Sequence, residues 1–123
     1  MVTLNQYLTE KLIDNVNFVK VDIEGAEMMF LAGAEKLFQQ SIPPILLMEM
    51  ALKQTSNFGY KPNDLLRFLT QRALYNFYAV NEFNGKLKKI VEFAADDIGA
   101  NVFCIPTGHY LDRTEKFLKN VTE

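Results

Sequence analysis

Asp22, Glu24 and Glu27 place three carboxylates within six positions, directly after an apolar run. Groups of this type can accept hydrogen bonds from hydroxyls, take up a proton or hold a hard cation. The run itself, Phe18 to Ile23, is β-branched or aromatic at Phe18, Val19, Val21 and Ile23. It predicts a strand of the kind buried on both faces of a parallel sheet. From Glu24 or Gly25 a helix follows to about Gln40, with Ala26, Met29, Phe30, Gly33 and Leu37 on one apolar face. In an open α/β sheet the turn after a strand faces the ligand crevice, so all three acids stand where chemistry is usually done.

A plainer role competes. Acids in the first turn of a helix meet free N–H groups, worth roughly 0.3 to 1 kcal/mol each, and Glu24 and Glu27 need do no more. Asp22 is harder to explain that way, because it shares a strand face with Lys20, two residues earlier. An unpaired charge inside a sheet is costly, so alternate charges on an inner strand point to an ion pair or a polar crevice.

The run V-K-V-D-I-E-G-A-E, continuing to L-A-G-A-E-K-L and P-P-I-L-L-M-E, resembles the middle of the FkbM-type methyltransferases. Lys20, Asp22, Glu24, Gly25, Ala26 and Glu27 match the family's strand-four signature, and Glu49 matches the acid closing the next strand. The resemblance implies an S-adenosylmethionine-dependent enzyme with a Rossmann-like fold, methylating a hydroxyl of a sugar or natural product. It implies Asp22 as the base or acceptor-orienting residue, with Glu24, Glu27 and Glu49 bonding acceptor hydroxyls. Lys20, Asn57 and Tyr60, the last two in the loop after the second strand beside Phe58, are candidate acceptor contacts. Mg²⁺ at this strand end, as in related O-methyltransferases, is the lesser alternative, and no metal site is assigned.

Composition narrows the field. The 123 residues are 49% hydrophobic, enough to fill one core, and the net charge is −2. Lys and Arg are scattered, which argues against nucleic acid as a partner. No apolar stretch reaches the roughly 18 residues of a membrane span, and no signal pattern opens the chain, so a cytoplasmic location is expected. Cys104 is the only cysteine, which excludes an internal disulfide and a cysteine zinc cage. It reads as a buried strand residue.

The remaining elements follow from local signals. Thr3 or Asn5 caps a short helix to Leu12 or Ile13. Ser41, Pro43 and Pro44 stop the long helix, and Ile45 to Met48 form a second buried strand ending at Glu49. Lys53 to Lys61 is a loop, and Pro62 opens a helix for which Asn63 or Asp64 is an alternative cap. Tyr75 to Val80, then Asn84-Gly85 before Lys86 to Phe93, give a hairpin, and Asn101 to Ile105 a last strand. Tyr110 to Asn120 would dock a terminal helix through Leu111, Phe117 and Leu118. His109, in a loop past the last strand, reads as a surface residue rather than a base.

The order is α/β, with antiparallel strands at the carboxyl-terminal edge of the sheet. By resemblance, residues 1–123 are a single partial methyltransferase domain, strands four to seven. The family's glycine-rich cofactor loop lies earlier, and none of the six glycines forms a G-x-G. S-adenosylmethionine is therefore expected to bind the intact family domain and not this chain alone, which leaves the chain inactive by itself. The strand at 18–23 would then expose one edge, open to a second copy or to the missing amino-terminal half. The competing reading is a non-catalytic remnant or partner subunit. Metal-dependent hydrolysis fares worst, lacking histidine ligands.

Overall fold

The computed structural model describes residues 2–108. The terminal segment with Leu111, Phe117 and Leu118, and His109, lie outside the described residues.

Thr3 caps α1 (Leu4–Glu10) reciprocally: its hydroxyl accepts from the Gln6 N–H at 3.1 Å, and the Gln6 side chain accepts from the Thr3 N–H at 2.9 Å. β1 spans Phe18–Val21, two residues shorter than the apolar run suggests, which leaves Asp22 and Ile23 in the turn beyond it. The long helix expected next is two short ones, α2 (Glu27–Ala32) and α3 (Glu35–Phe38). They part at Gly33 and Ala34 because α1 packs into the break. The Asn5 N–H donates to the Gly33 carbonyl at 2.9 Å, and the Asn5 side chain accepts from the Lys36 N–H at 3.0 Å. A side chain on Gly33 would come within 3.0 Å of Thr3. Tertiary contact here overrides the helical periodicity.

β2 (Ile45–Ala51) runs past Glu49 instead of ending there. Residues 53–57 of the expected loop belong to a helix, α4 (Leu52–Asn57), whose Thr55 and Ser56 hydroxyls donate back to the Leu52 carbonyl. α5 (Pro62–Thr70) begins with proline at its first position, and the Asp64 side chain accepts from the Lys61 N–H at 2.9 Å. Asn63 is not its cap. It bonds both backbone groups of Phe93, at 2.7 and 3.0 Å, and ties α5 to the segment after β4.

β3 (Tyr75–Val80) and β4 (Leu87–Ile90) pair antiparallel around Asn84-Gly85, and β5 (Gly99–Pro106) completes the sheet. The five strands lie in the order β1-β2-β5-β3-β4. Only β1 and β2 are parallel. The antiparallel strands fill the side away from β1, as expected, but the last of them is central. β1 is an edge strand, and so Phe18 and Lys20 are exposed and not buried as in an internal parallel strand.

The core follows strand alternation. Leu46, Met48 and Met50 of β2 are buried, with Val102 and Cys104 of β5 and Tyr75 and Phe77 of β3, against Leu31, Leu37 and Phe38 and the apolar side of α5, Leu65, Leu66 and Leu69. Full burial of each such Leu or Met contributes about 1.5–3 kcal/mol. The alternate residues of β2, including Glu49, face the less buried side. Parity therefore puts the acid where solvent or ligand can reach it.

Candidate functional site

The β1–β2 register aligns Lys20 with Leu47 and Val21 with Met48. One step further sets Asp22 beside Glu49, at the carboxyl ends of the two parallel strands. The chain then turns sharply. Glu24 has φ 56° and Gly25 φ 102°, conformations that side-chain-bearing residues seldom adopt. Gly25 is required twice over, because a Cβ there would lie 2.4 Å from the Gln54 carbonyl oxygen and 2.9 Å from the Phe58 ring. The turn is thus pressed against α4, and Glu24 is folded back toward the strand ends.

Asp22, Glu24 and Glu49 meet, each with a carboxylate oxygen within 4.8 Å of the other two. Burial, above all, raises the Glu49 pKa; a hydrogen bond with the Asp22 side chain and the negative charges of Asp22, Glu24 and Glu27 add to it. Glu49 is therefore held toward its protonated form, with the Asp22 side chain as its hydrogen-bond partner.

Glu27 is placed differently. It is 1% exposed, and its Oε1 has no hydrogen-bond partner. Tyr60 stands between it and the turn: the hydroxyl donates to the Gly25 carbonyl at 2.5 Å and lies 3.4 Å from Glu27 Oε2 and from the Met28 N–H. Burial, foremost, pushes the Tyr60 hydroxyl pKa up, so it stays a neutral donor. Tyr60 thus braces the turn from inside. Lys20 and Asn57 are exposed, and no hydrogen bond or ion pair among the described residues ties either to the carboxylates. Cys104 is fully buried in β5, where burial raises its thiol pKa and leaves it unreactive.

Beside Glu49 a concavity of about 420 Å³ opens, lined also by Lys53, Gln54, Glu82 and Asn101 and by the backbone at Gly99 and Ala100. These residues escape a linear reading. Lys53 and Gln54 continue β2 into a stretch that looks like loop, Glu82 comes from the β3–β4 turn, and Asn101 is brought opposite Glu49 by the β2–β5 register. Gly99 makes that wall possible: its φ is 95°, and a Cβ would collide with the Met50 carbonyl oxygen.

Residues 1–77 match the family model described as the methyltransferase FkbM domain, a span covering α1 through the start of β3 and the whole carboxylate turn. The chain belongs to the FkbM methyltransferase family. Glu49 and the E-G-A-E turn both fall inside the match, while Glu82, Gly99 and Asn101 of the concavity lie beyond it. No curated protein and no solved structure matches the chain. Among the described residues, no helix is long and apolar enough to cross a membrane.

Proposed function

We propose that the chain is the acceptor-side part of an S-adenosylmethionine-dependent O-methyltransferase, acting on a hydroxyl of a sugar or natural product. The observation that carries this reading is the meeting of Asp22, Glu24 and Glu49 at the ends of two parallel strands, beside a concavity that Glu49 lines. Methyl transfer to a hydroxyl needs the oxygen positioned and relieved of its proton. Asp22 takes that proton, Glu49 shares it, and Glu24 orients the acceptor. Gln54, Lys53 and Asn101 offer further hydrogen bonds within the concavity, and Lys20 and Asn57 are outer contacts for a larger acceptor. Glu27 and Tyr60 act through the turn they support and are positioning residues.

In this reading β1 and its neighbours are strands four to seven of a Rossmann-like sheet, and residues 1–123 form a partial domain. The donor's cradle is a separate matter. The one signature glycine, Gly25, gives its space to Gln54 and Phe58 and not to a ligand, so this turn does not fit the donor's cradle. The family's methyl donor would be held by a partner bearing the other half of the sheet, docked along β1.

The test is Asp22→Asn in a full-length family member carrying the same signature. Turnover should fall about a thousand-fold while donor binding stays within about two-fold, as expected when a proton acceptor is lost from an intact site. Unchanged turnover would dismiss the assignment. Titrating S-adenosylmethionine into the 123-residue chain in a calorimeter should give no binding heat.

A second reading is favoured by one observation, the open edge of β1. There the chain is a non-catalytic subunit that associates through that edge, and restoring a donor-binding half would yield assembly without methylation.

A further inference from the structure

β1 leaves one side of its backbone open. The Ile45 N–H donates to the Asn17 carbonyl at 2.9 Å, and Phe18 and Lys20 stand opposite Ile45 and Leu47. In a parallel ladder this turns the backbone groups of Asn17, Val19 and Val21 toward β2, and those of Phe18, Lys20 and, one step on, Asp22 toward the open side. No strand among the described residues pairs there, and Phe18, Lys20 and Asp22 are exposed. An edge of this kind accepts another strand through its main chain.

The residues of that edge say which strand it fits. Val19 to Ile23 reads apolar, positive, apolar, negative, apolar, with the charges placed antisymmetrically about Val21. Laid antiparallel on a copy of itself with Val21 opposite Val21, the segment sets Lys20 of each chain opposite Asp22 of the other, and Val19 opposite Ile23. Lys20 and Asp22 are the positions whose N–H and C=O groups face outward, so each such pair also exchanges both backbone hydrogen bonds. The two nearest registers that keep every side chain on its own face oppose Lys20 to Lys20 or Asp22 to Asp22, and like charges directly opposite are destabilising. Pairing ends at Ile23, because Glu24 at φ 56° turns the chain out of strand geometry. Ile23 also lines a hollow of about 270 Å³ with Val2, Met29 and Phe30, so apolar surface flanks the end of the pairing.

We propose that a second copy of this chain docks antiparallel along β1 in the Val21-to-Val21 register, joining the two sheets into one and bringing its Lys20 to Asp22 of the candidate site. Within one chain neither residue belongs to an ion pair of the described residues, which join Arg67 to Asp64 and Arg72 to Glu35. The copy therefore supplies a cation that the carboxylate turn lacks. The inference rests on the open edge and its charge pattern and not on methyl transfer. A donor-bearing half docked along β1 would take the same edge, so the two partners exclude one another.

Sedimentation equilibrium of the 123-residue chain at micromolar concentration should give a dimer. Lys20→Asp and Asp22→Lys should each weaken it at least about ten-fold, because each sets like charges opposite one another in both pairs. The double variant Lys20→Asp/Asp22→Lys restores both pairs with their signs exchanged and should return the affinity to within about two-fold of the wild type. An equimolar mixture of the two single variants should form the mixed dimer in preference to either homodimer. That mixture reads the pairing even where one substitution lowers the stability of its own chain. A monomeric wild type, a dimer indifferent to both charge reversals, a double variant and a mixture that both stay monomeric, or association only with a chain supplying the family's donor half would each overturn the proposal.

Discussion

The two edges of the sheet follow opposite rules. β4 carries Lys88 and Lys89 exposed at its centre, and charge in mid-strand discourages another chain from pairing there. β1 has three apolar residues in four, and Phe18 is 51% exposed. β4 is built to be an edge, whereas β1 has the composition of an interior strand. Their glycine turns differ in the same way. Gly85, leading into β4, has φ 70° and open space where a side chain would go, while Gly25, following β1, is closed in by Gln54 and Phe58. One glycine only shapes a turn. The other also seats the carboxylate turn against the body of the protein, at the end of β1 where the candidate site lies.

The largest effect should come from exchanging both glycines for alanine. Gly85→Ala meets only the left-handed backbone cost, about 1–2 kcal/mol. Gly25→Ala adds a collision with the Gln54 carbonyl and should cost about 4 kcal/mol, or prevent folding. Chemical denaturation compares them, and equal losses would erase the distinction between the turns.

Next comes association. Phe18→Lys gives β1 the charged character of β4 and should weaken pairing through that edge about ten-fold in sedimentation equilibrium. Lys88→Glu, which keeps β4 charged, should change nothing. A wild-type chain that stays monomeric at micromolar concentration would remove the contrast between the edges altogether.

The smallest effect is in pH dependence, and it has opposite signs at two carboxylates. Glu49 has a raised pKa, so its contribution to stability is present below the ordinary carboxylate range and is lost as pH rises through the raised value. Asp64 has a lowered pKa, chiefly because it accepts from the Lys61 N–H and next to the Arg67 guanidinium. Its contribution is present above the ordinary range and is lost as pH falls through the lowered value. Near neutrality, Glu49→Gln should therefore stabilise and Asp64→Asn destabilise, each by about 0.3–1 kcal/mol. Melting curves across the acid range read both, and matching slopes would contradict the assigned environments.

Much of this was legible beforehand. The strands at 18, 45 and 75 begin where the apolar runs begin, Pro62 opens α5, and Asn84-Gly85 turns a hairpin, because each signal acts over a few residues of backbone. The helices past Gly25 are shorter than the sequence suggests, since its periodicity is continuous and only the packing of α1 at Gly33 divides it. α4 was hidden in a polar stretch whose hydroxyls bond back to Leu52.

The site divides along the same line. The sequence alone determined that carboxylates would crowd the ends of two strands, because strand composition and the E-G-A-E turn are local properties. Tertiary structure decided which of them meet. Register brought Glu49 to Asp22, the left-handed turn folded Glu24 in beside them, and packing under Tyr60 sealed Glu27 away. A residue's neighbours across a sheet depend on pairing and on which side is filled, and neither is written in any single stretch of the chain.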